Sequence, residues 1–269
     1  MPASPLLFCV DIGNTHTHYG IVGAGGLFPA SATDEIATPQ LDHPVHGLEP
    51  ILRRHLAAAD TPIPVAVAFC SVVPAAAPLL RRALEPLGRP IWQLTHRAKL
   101  GIPITYPRPT EIGQDRLANA AGAHAIVGAP AIVIDLGTAV TFDIVTRAGG
   151  YEGGIITPGP ALMTRYLHER TAQLPLVEDV ISPVTTAIGK STVEAMRIGA
   201  VLGFTGMIQT LLDALQAELS ARGETPAPVL TSGGATAIVA GRLRQTVTDL
   251  PDLTLRGLAA AWALDQVTA

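Results

Sequence analysis

Cysteine is scarce in this 269-residue chain, which carries only Cys9 and Cys70. Both lie in apolar runs, and neither belongs to a C-x-x-C pair or to a Cys/His cluster with zinc spacing. That excludes a disulfide framework and a structural zinc site and reads as two buried free thiols. Aromatic residues make up 4% of the chain, too few to line a stacking platform for single strands. Dense Lys/Arg runs are also missing, and with net charge −4 and pI near 6.0 nucleic acid is not expected as a partner. Long uninterrupted apolar runs are lacking too. The hydrophobic fraction is 48% and mean hydropathy +0.36, but alanine supplies much of this. Pro or amide residues break every stretch approaching the ~20 residues of a span, so no membrane segment is expected. The first residues carry no basic region and reach Asp11 inside what would be a signal peptide's apolar segment; the expected compartment is the cytoplasm. The length suits one large or two modest α/β domains with real cores.

What the chain does have is one motif twice. Ala131–Val145, AIVIDLGTAVTFDIV, joins an apolar, mostly β-branched run to Asp135, Gly137 and Thr138 and then to a second apolar run. This reads as a strand, a tight turn and a returning strand, the first strand covered on both faces. Gly137 lets backbone N–H groups approach a ligand, Asp135 adds charge at the strand end and Thr138 a hydroxyl. Near the N-terminus Leu6–Val10 runs into DIGNTHTHYGIV, which aligns without gaps: Asp11 on Asp135, Gly13 on Gly137, Thr17 on Thr141. A third Gly-rich turn follows an apolar run at Val229–Gly234. Two Asp-Gly hairpins on a shared cleft resemble the plan of the actin, hexokinase and Hsp70 superfamily, in which nucleotide lies between duplicated lobes. The alternative is two unrelated hairpins whose glycines serve turn geometry only.

Around these motifs strands and helices alternate, which predicts parallel pairing. Leu48–Ala59 reads as a helix, Val65–Val73 as a strand, Pro78–Leu87 as a helix and Pro90–Leu94 as a short strand. Gly23–Pro44 reads as loop or edge strand. Prolines 103, 107 and 109 make a rigid loop that delivers Gly113, Gln114, Asp115 and Arg116 to a helix running to about Val127. Asp115 is then either a cap favoured by the helix dipole or a catalytic group, and Arg116 pairs with it or binds an anion. Tyr151–Thr164 reads as an ordered Gly/Pro-rich loop, and Leu162–Arg170 as a helix. Gly189-Lys190-Ser191 is not a P-loop, because Val184 stands where that template needs glycine. Instead Ser191 and Glu194 make a capping box for a helix that continues as Val201–Leu219. Leu258–Leu264 in the last helix reads as core or dimer packing. His16 and His18 share a strand face but lack a third metal ligand.

Taken together, DIGNT, the SVVP strand end, Tyr106 with its Gly-x-Asp-Arg, DLGTAVTFD, GGIITPG, GKSTVEAMRIG and TSGG resemble, in order, the type III pantothenate kinases and the related Bvg accessory factors. The resemblance spans essentially the whole chain. It implies the duplicated two-lobe α/β fold of the acetate and sugar kinases, Hsp70 and actin (ASKHA, ribonuclease H-like). The expected lobes are 1–112, with the first phosphate-binding hairpin, and 113–269, with the second hairpin and dimerisation helices. It implies a cytoplasmic homodimer that uses ATP, Mg²⁺ and a monovalent cation, K⁺ or NH₄⁺, to phosphorylate pantothenate. By matching position, Asp11, Ile12, Gly13, Asn14, Thr15, His16, Thr17 and His18 form the first phosphate hairpin, and Thr138 reaches ATP. Tyr106, Gly113, Gln114, Arg116 and Thr192 contact pantothenate, Asp115 accepts the proton and Asp135 binds the monovalent cation. The chain departs from the family at Arg108, before the second proline of its loop, and at Gln114, where alanine is commoner. Two rivals share the scaffold: a non-catalytic nucleotide-binding regulator, and a phosphatase.

Overall fold

The two Asp-Gly motifs fold as antiparallel hairpins, each at the heart of its own sheet. The computed structural model describes residues 4–44, 46–57 and 64–267. In chain order the strands are β1 (Leu6–Ile12), β2 (His16–Gly23), β3 (Ser31–Ala37), β4 (Ala66–Ser71), β5 (Ile91–Gln93), β6 (Ala131–Leu136), β7 (Ala139–Thr146), β8 (Gly150–Pro158), β9 (Val229–Ser232) and β10 (Val247–Asp249). The helices are α1 (Leu48–Ala57), α2 (Ala76–Leu84), α3 (Gln114–Val127), α4 (Pro160–Arg170), α5 (Thr192–Ile198), α6 (Phe204–Ala221), α7 (Thr236–Val239) and α8 (Leu253–Gln266). Residues 58 and 59, expected at the end of α1, lie outside the described residues. One sheet has the order β3-β2-β1-β4-β5 and the other β10-β9-β6-β7-β8. In each, the hairpin's first strand also pairs in parallel with a later strand, β1 with β4 and β6 with β9. The expected parallel pairing is therefore present, reached through helical crossovers.

The chain divides into two compact units: 4–129 with 148–152 and 252–267 of the described residues, and 130–147 with 153–251. This differs from a division at 112/113. α3 and α8 pack on each other and against β4 and β1, so both helices belong with the first sheet.

In the first unit alternate residues of each strand face opposite helical layers. Phe8, Val10, Ile12, Val67 and Phe69 pack with Leu48, Ile51 and Leu52 of α1 and Leu80 and Leu84 of α2. The opposite face carries Leu7, Cys9 and Asp11 of β1, in register with Ala66, Ala68 and Cys70 of β4. These small side chains let α3 and α8 come close. α8 in turn lies tightly on α3: a Cβ on Gly257 would strike the Ala118 carbonyl oxygen, and one on Gly122 would lie 2.9 Å from Leu253 O. Thr254 Oγ1 donates to Asn119 Oδ1 at 2.8 Å inside this contact. Leu258, Ala259 and Ala261 are fully buried, so the last helix is core.

In the second unit Ile132, Ile134 and Leu136 of β6 and Val140, Phe142 and Ile144 of β7 meet Phe204, Ile208 and Leu212 of α6. Burying each such side chain contributes about 1.5–3 kcal/mol. α5 and α6 form one rod, Thr192–Ala221, through a π-helical turn at Gly199–Gly203. By length and composition alone this rod could cross a membrane, whereas the sequence leads to no expected membrane segment. Its core residues mark it as a packing helix of the second sheet. Tyr151–Thr164 is not a loop. It forms the edge strand β8 and the first turn of α4, because an edge position tolerates glycine and Pro158 and Pro160 stop the strand and start the helix.

Candidate functional site

In the first unit, the end of β1 brings Asp11 to the turn 13–15. Gly13 N–H donates to His16 O at 3.0 Å, closing the turn, and a Cβ on Gly13 would lie 2.9 Å from that oxygen. Asn14, Thr15 and His16 are exposed beside Asp11, which is half-buried. The first turn is one residue longer than the second. Asp11 lies opposite His18, whereas Asp135 lies opposite Thr141, so the gapless match of Thr17 to Thr141 slips by one and His18 is the true counterpart. A one-residue slip reverses the face. The Thr17 side chain is accordingly buried and 3.1 Å from the Thr38 hydroxyl, away from Asp11. Ile12 likewise points into the core, so only its backbone adjoins the turn. His18 instead sits on the Asp11 face, its Nδ1 3.2 Å from Glu35 Oε2. Burial lowers its pKa, against the pull of the Glu35 carboxylate.

Asp115 comes to the same place from the other side. Gly113 is the N-cap of α3, so Gln114 and Asp115 open its first turn. Asp115 Oδ1 accepts the Arg116 backbone N–H at 2.8 Å, and a Cβ on Gly113 would collide with that oxygen. Glycine is thus what leaves room for the carboxylate. Desolvation pushes the Asp115 pKa up, while the Arg116 N–H and guanidinium pull it partly back. Between the two acids lies Cys70: its Sγ–H donates to Asp11 Oδ1 at 3.2 Å. Burial raises the thiol's pKa first, and both the Asp11 and Asp115 charges raise it further. Asp11 and Asp115 therefore both act on the same buried thiol of β4. The sequence alone marks Cys70 as a buried free thiol, and only the β1–β4 register puts it beside an acid.

Gln114 was expected to line a substrate pocket. Its Oε1 accepts the Ser71 backbone N–H at 3.0 Å and Gln93 Nε2 at 3.3 Å, tying α3 to the ends of β4 and β5. The Arg116 guanidinium lies 5.9 Å from the ring centroid of buried Tyr151. Thr105 N–H donates to Tyr151 O at 3.0 Å, which leaves the next residue, half-buried Tyr106, on the same loop. Arg108 pairs with Glu111 at 3.1 Å on the exposed side of that loop.

In the second unit Asp135, Thr141 and Ser232 stand side by side at the strand ends. Gly137 and Thr138 are exposed at the turn. Two glycines wrap it. Gly233, at φ +93°, would bring a Cβ within 2.7 Å of the Leu136 backbone, and Gly159 would drive one into the carbonyls of Gly137 and Thr138. Gly159 N–H also donates to Thr138 O at 2.9 Å. Asp143, which the sequence reading passed over, is fully buried and accepts from Thr141 Oγ1 at 3.3 Å. Thr192 is exposed at the first position of α5. Ser191 Oγ accepts the Glu194 N–H at 3.2 Å, while the Glu194 carboxylate turns to the Lys190 N–H at 2.7 Å rather than to the cap residue's own. Among the described residues no three His, Cys, Asp or Glu side chains cluster as a metal cage.

The fold is shared with a ROK family glucokinase from Streptomyces griseus, solved with glucose and AMPPNP, at TM-score 0.53 and 16% identity over 97% of this chain and 99% of that one. It is also shared with the activator of 2-hydroxyisocaproyl-CoA dehydratase from Clostridium difficile, at TM-score 0.51 and 13% identity over 98% and 96%. These likenesses show the α/β fold with two sheets. Sequence relatives are nearer. A type III pantothenate kinase from Methylacidiphilum infernorum is 39% identical over 94% of this chain and 86% of its own length. One from Akkermansia muciniphila is 39% identical over 95% and 98%. The family model for type III pantothenate kinase matches residues 7–214, a span that holds both acidic hairpins and the α3 N-terminus. With the motifs, the hairpins and these full-length matches in agreement, the chain belongs to the type III pantothenate kinase family.

Proposed function

We propose that this protein transfers the γ-phosphoryl group of ATP to the primary hydroxyl of pantothenate, the entry step of coenzyme A biosynthesis. The observation that carries the reading is Asp115: a carboxylate held at a helix start by a glycine, beside Asp11, in a chain of this family. Phosphoryl transfer needs positioning and charge neutralisation more than covalent chemistry. Asp115 accepts the hydroxyl proton as the oxygen attacks phosphorus, and its raised pKa suits it to take that proton late. Arg116 and Tyr106 hold the acceptor's carboxylate and amide. Asn14, Thr15 and His16 offer donors for phosphate oxygens in the first unit, and Thr138 offers a hydroxyl in the second.

Bound Mg²⁺ neutralises charge on the ATP phosphates. This ion is usually held by one or two carboxylates together with substrate phosphates. Asp11 supplies that carboxylate, and Asp135 serves a monovalent cation, K⁺ or NH₄⁺. The reading carries with it a cytoplasmic homodimer that needs neither membrane nor nucleic acid. Exposed Tyr166, Leu167, Ile181, Ile188 and Val193 on the second unit support self-association.

The test is ADP release measured with and without pantothenate, in K⁺, NH₄⁺ or Na⁺, with the product weighed by mass spectrometry. Pantothenate-dependent ADP and a phosphorylated product support the kinase. ADP release that ignores pantothenate, or none at all, favours the nucleotide-binding regulator, and phosphate release from phosphorylated substrates without an acceptor favours the phosphatase.

A further inference from the structure

Cys70 is directly beside Asp11 in the parallel β1–β4 pair, on the face covered by α3 and α8. Leu7, Cys9, Ala66 and Ala68 share that face, and His18 of β2 stands opposite Asp11 on its other side. The next residue, Ser71, is fastened twice: its N–H donates to Gln114 Oε1 at 3.0 Å, and its hydroxyl donates to Val73 O at 3.0 Å. The strand end that carries Cys70 is thereby fixed to the helix turn that carries Asp115. A carboxylate at a strand end can rotate about two side-chain torsions, and a lateral donor on one oxygen restricts that rotation. A thiol is a weak donor, but the acceptor here is an acid and the contact is 3.2 Å from a fully buried sulfur.

We propose that Cys70 is a positioning residue: its thiol donates to Asp11 Oδ1, holds that carboxylate in the orientation used for the nucleotide's phosphates, and couples it to the α3 start. The catalytic consequence rests on the kinase reading above; the hydrogen bond and its effect on nucleotide binding do not.

The test compares the full-length protein with Cys70→Ala, Cys70→Val and Cys70→Ser. Valine fills the volume without a donor, and serine keeps a donor. Binding of β,γ-imido-ATP with Mg²⁺ is measured by calorimetry, KM for ATP and kcat by ADP release, and unfolding midpoints by melting. Losing a hydrogen bond to a charged group should weaken analogue binding by roughly 10-fold in the alanine and valine variants. KM for ATP should rise by a similar factor with a smaller change in kcat. Serine should restore binding to within about 3-fold, even if its midpoint falls as far as alanine's. Unchanged affinity in the valine variant would overturn the proposal, as would affinities that simply follow the midpoints. If the parent releases no pantothenate-dependent ADP, the kinase reading fails, and the calorimetric comparison still decides the role of Cys70.

Discussion

Replacing Asp115 with Asn separates what this residue does for catalysis from what it costs the fold. The amide keeps the size of the side chain and can still accept the Arg116 N–H now made at 2.8 Å, but it cannot take a proton. General-base catalysis contributes about 10²- to 10⁴-fold, so kcat should fall by that factor, equivalent to about 2.7–5.5 kcal/mol of barrier. Binding of an ATP analogue should change little, because the proposed role of Asp115 is toward the acceptor hydroxyl rather than the nucleotide. The stability effect has the opposite sign. Desolvation raises the folded pKa of Asp115, so the native state holds this proton more tightly than the unfolded chain. The resulting stabilisation is complete below the unfolded pKa, near 3.9, and is lost as pH rises through the folded pKa. Asparagine has no such loss. The variant should therefore melt higher than the parent at pH 7 and converge with it in acid. For the parent, kcat/KM should fall as pH drops through the raised pKa, because the base is then protonated. Near-parental turnover in the variant, or a melting difference that does not depend on pH, would refute the assignment of Asp115 as a desolvated base.

Two further outcomes test the scaffold. Gly257→Ala would press a methyl group onto the Ala118 carbonyl where α8 crosses α3, and should destabilise by about 1–3 kcal/mol or more in denaturant unfolding; an unchanged midpoint would mean the helices are not in such close contact. Gly159→Ala would push on the Gly137 and Thr138 carbonyls, and a displacement on that scale should raise KM for ATP or lower kcat by on the order of 10-fold or more. Parental kinetics would remove the second turn from nucleotide binding.

Local chemistry was enough to read the two hairpins, because in each an apolar run ends in Asp-x-Gly and a second apolar run follows the turn. It was also enough for the cap at Ser191, where a hydroxyl three residues before Glu194 satisfies a first-turn N–H, and for the arrival of Gly113–Arg116 at a helix start. The order of the motifs carried the family. What needed tertiary structure were relations between segments distant in the chain. Whether Thr17 or His18 shares a face with Asp11 depended on one extra residue in a turn, and periodicity cannot count that. The glycines of Tyr151–Thr164 suggest a loop, and only an edge position makes Gly153 and Gly154 tolerable in a strand. The last helix rejoined the first sheet because Gly122 and Gly257 permit a contact that no local pattern announces. Cys70 illustrates the difference most directly: its sequence neighbours make it a buried thiol, and only pairing with a strand 59 residues away makes it a donor to Asp11. Propensity and pattern act over a few residues, whereas register, helix crossing and the meeting of charges are settled by packing.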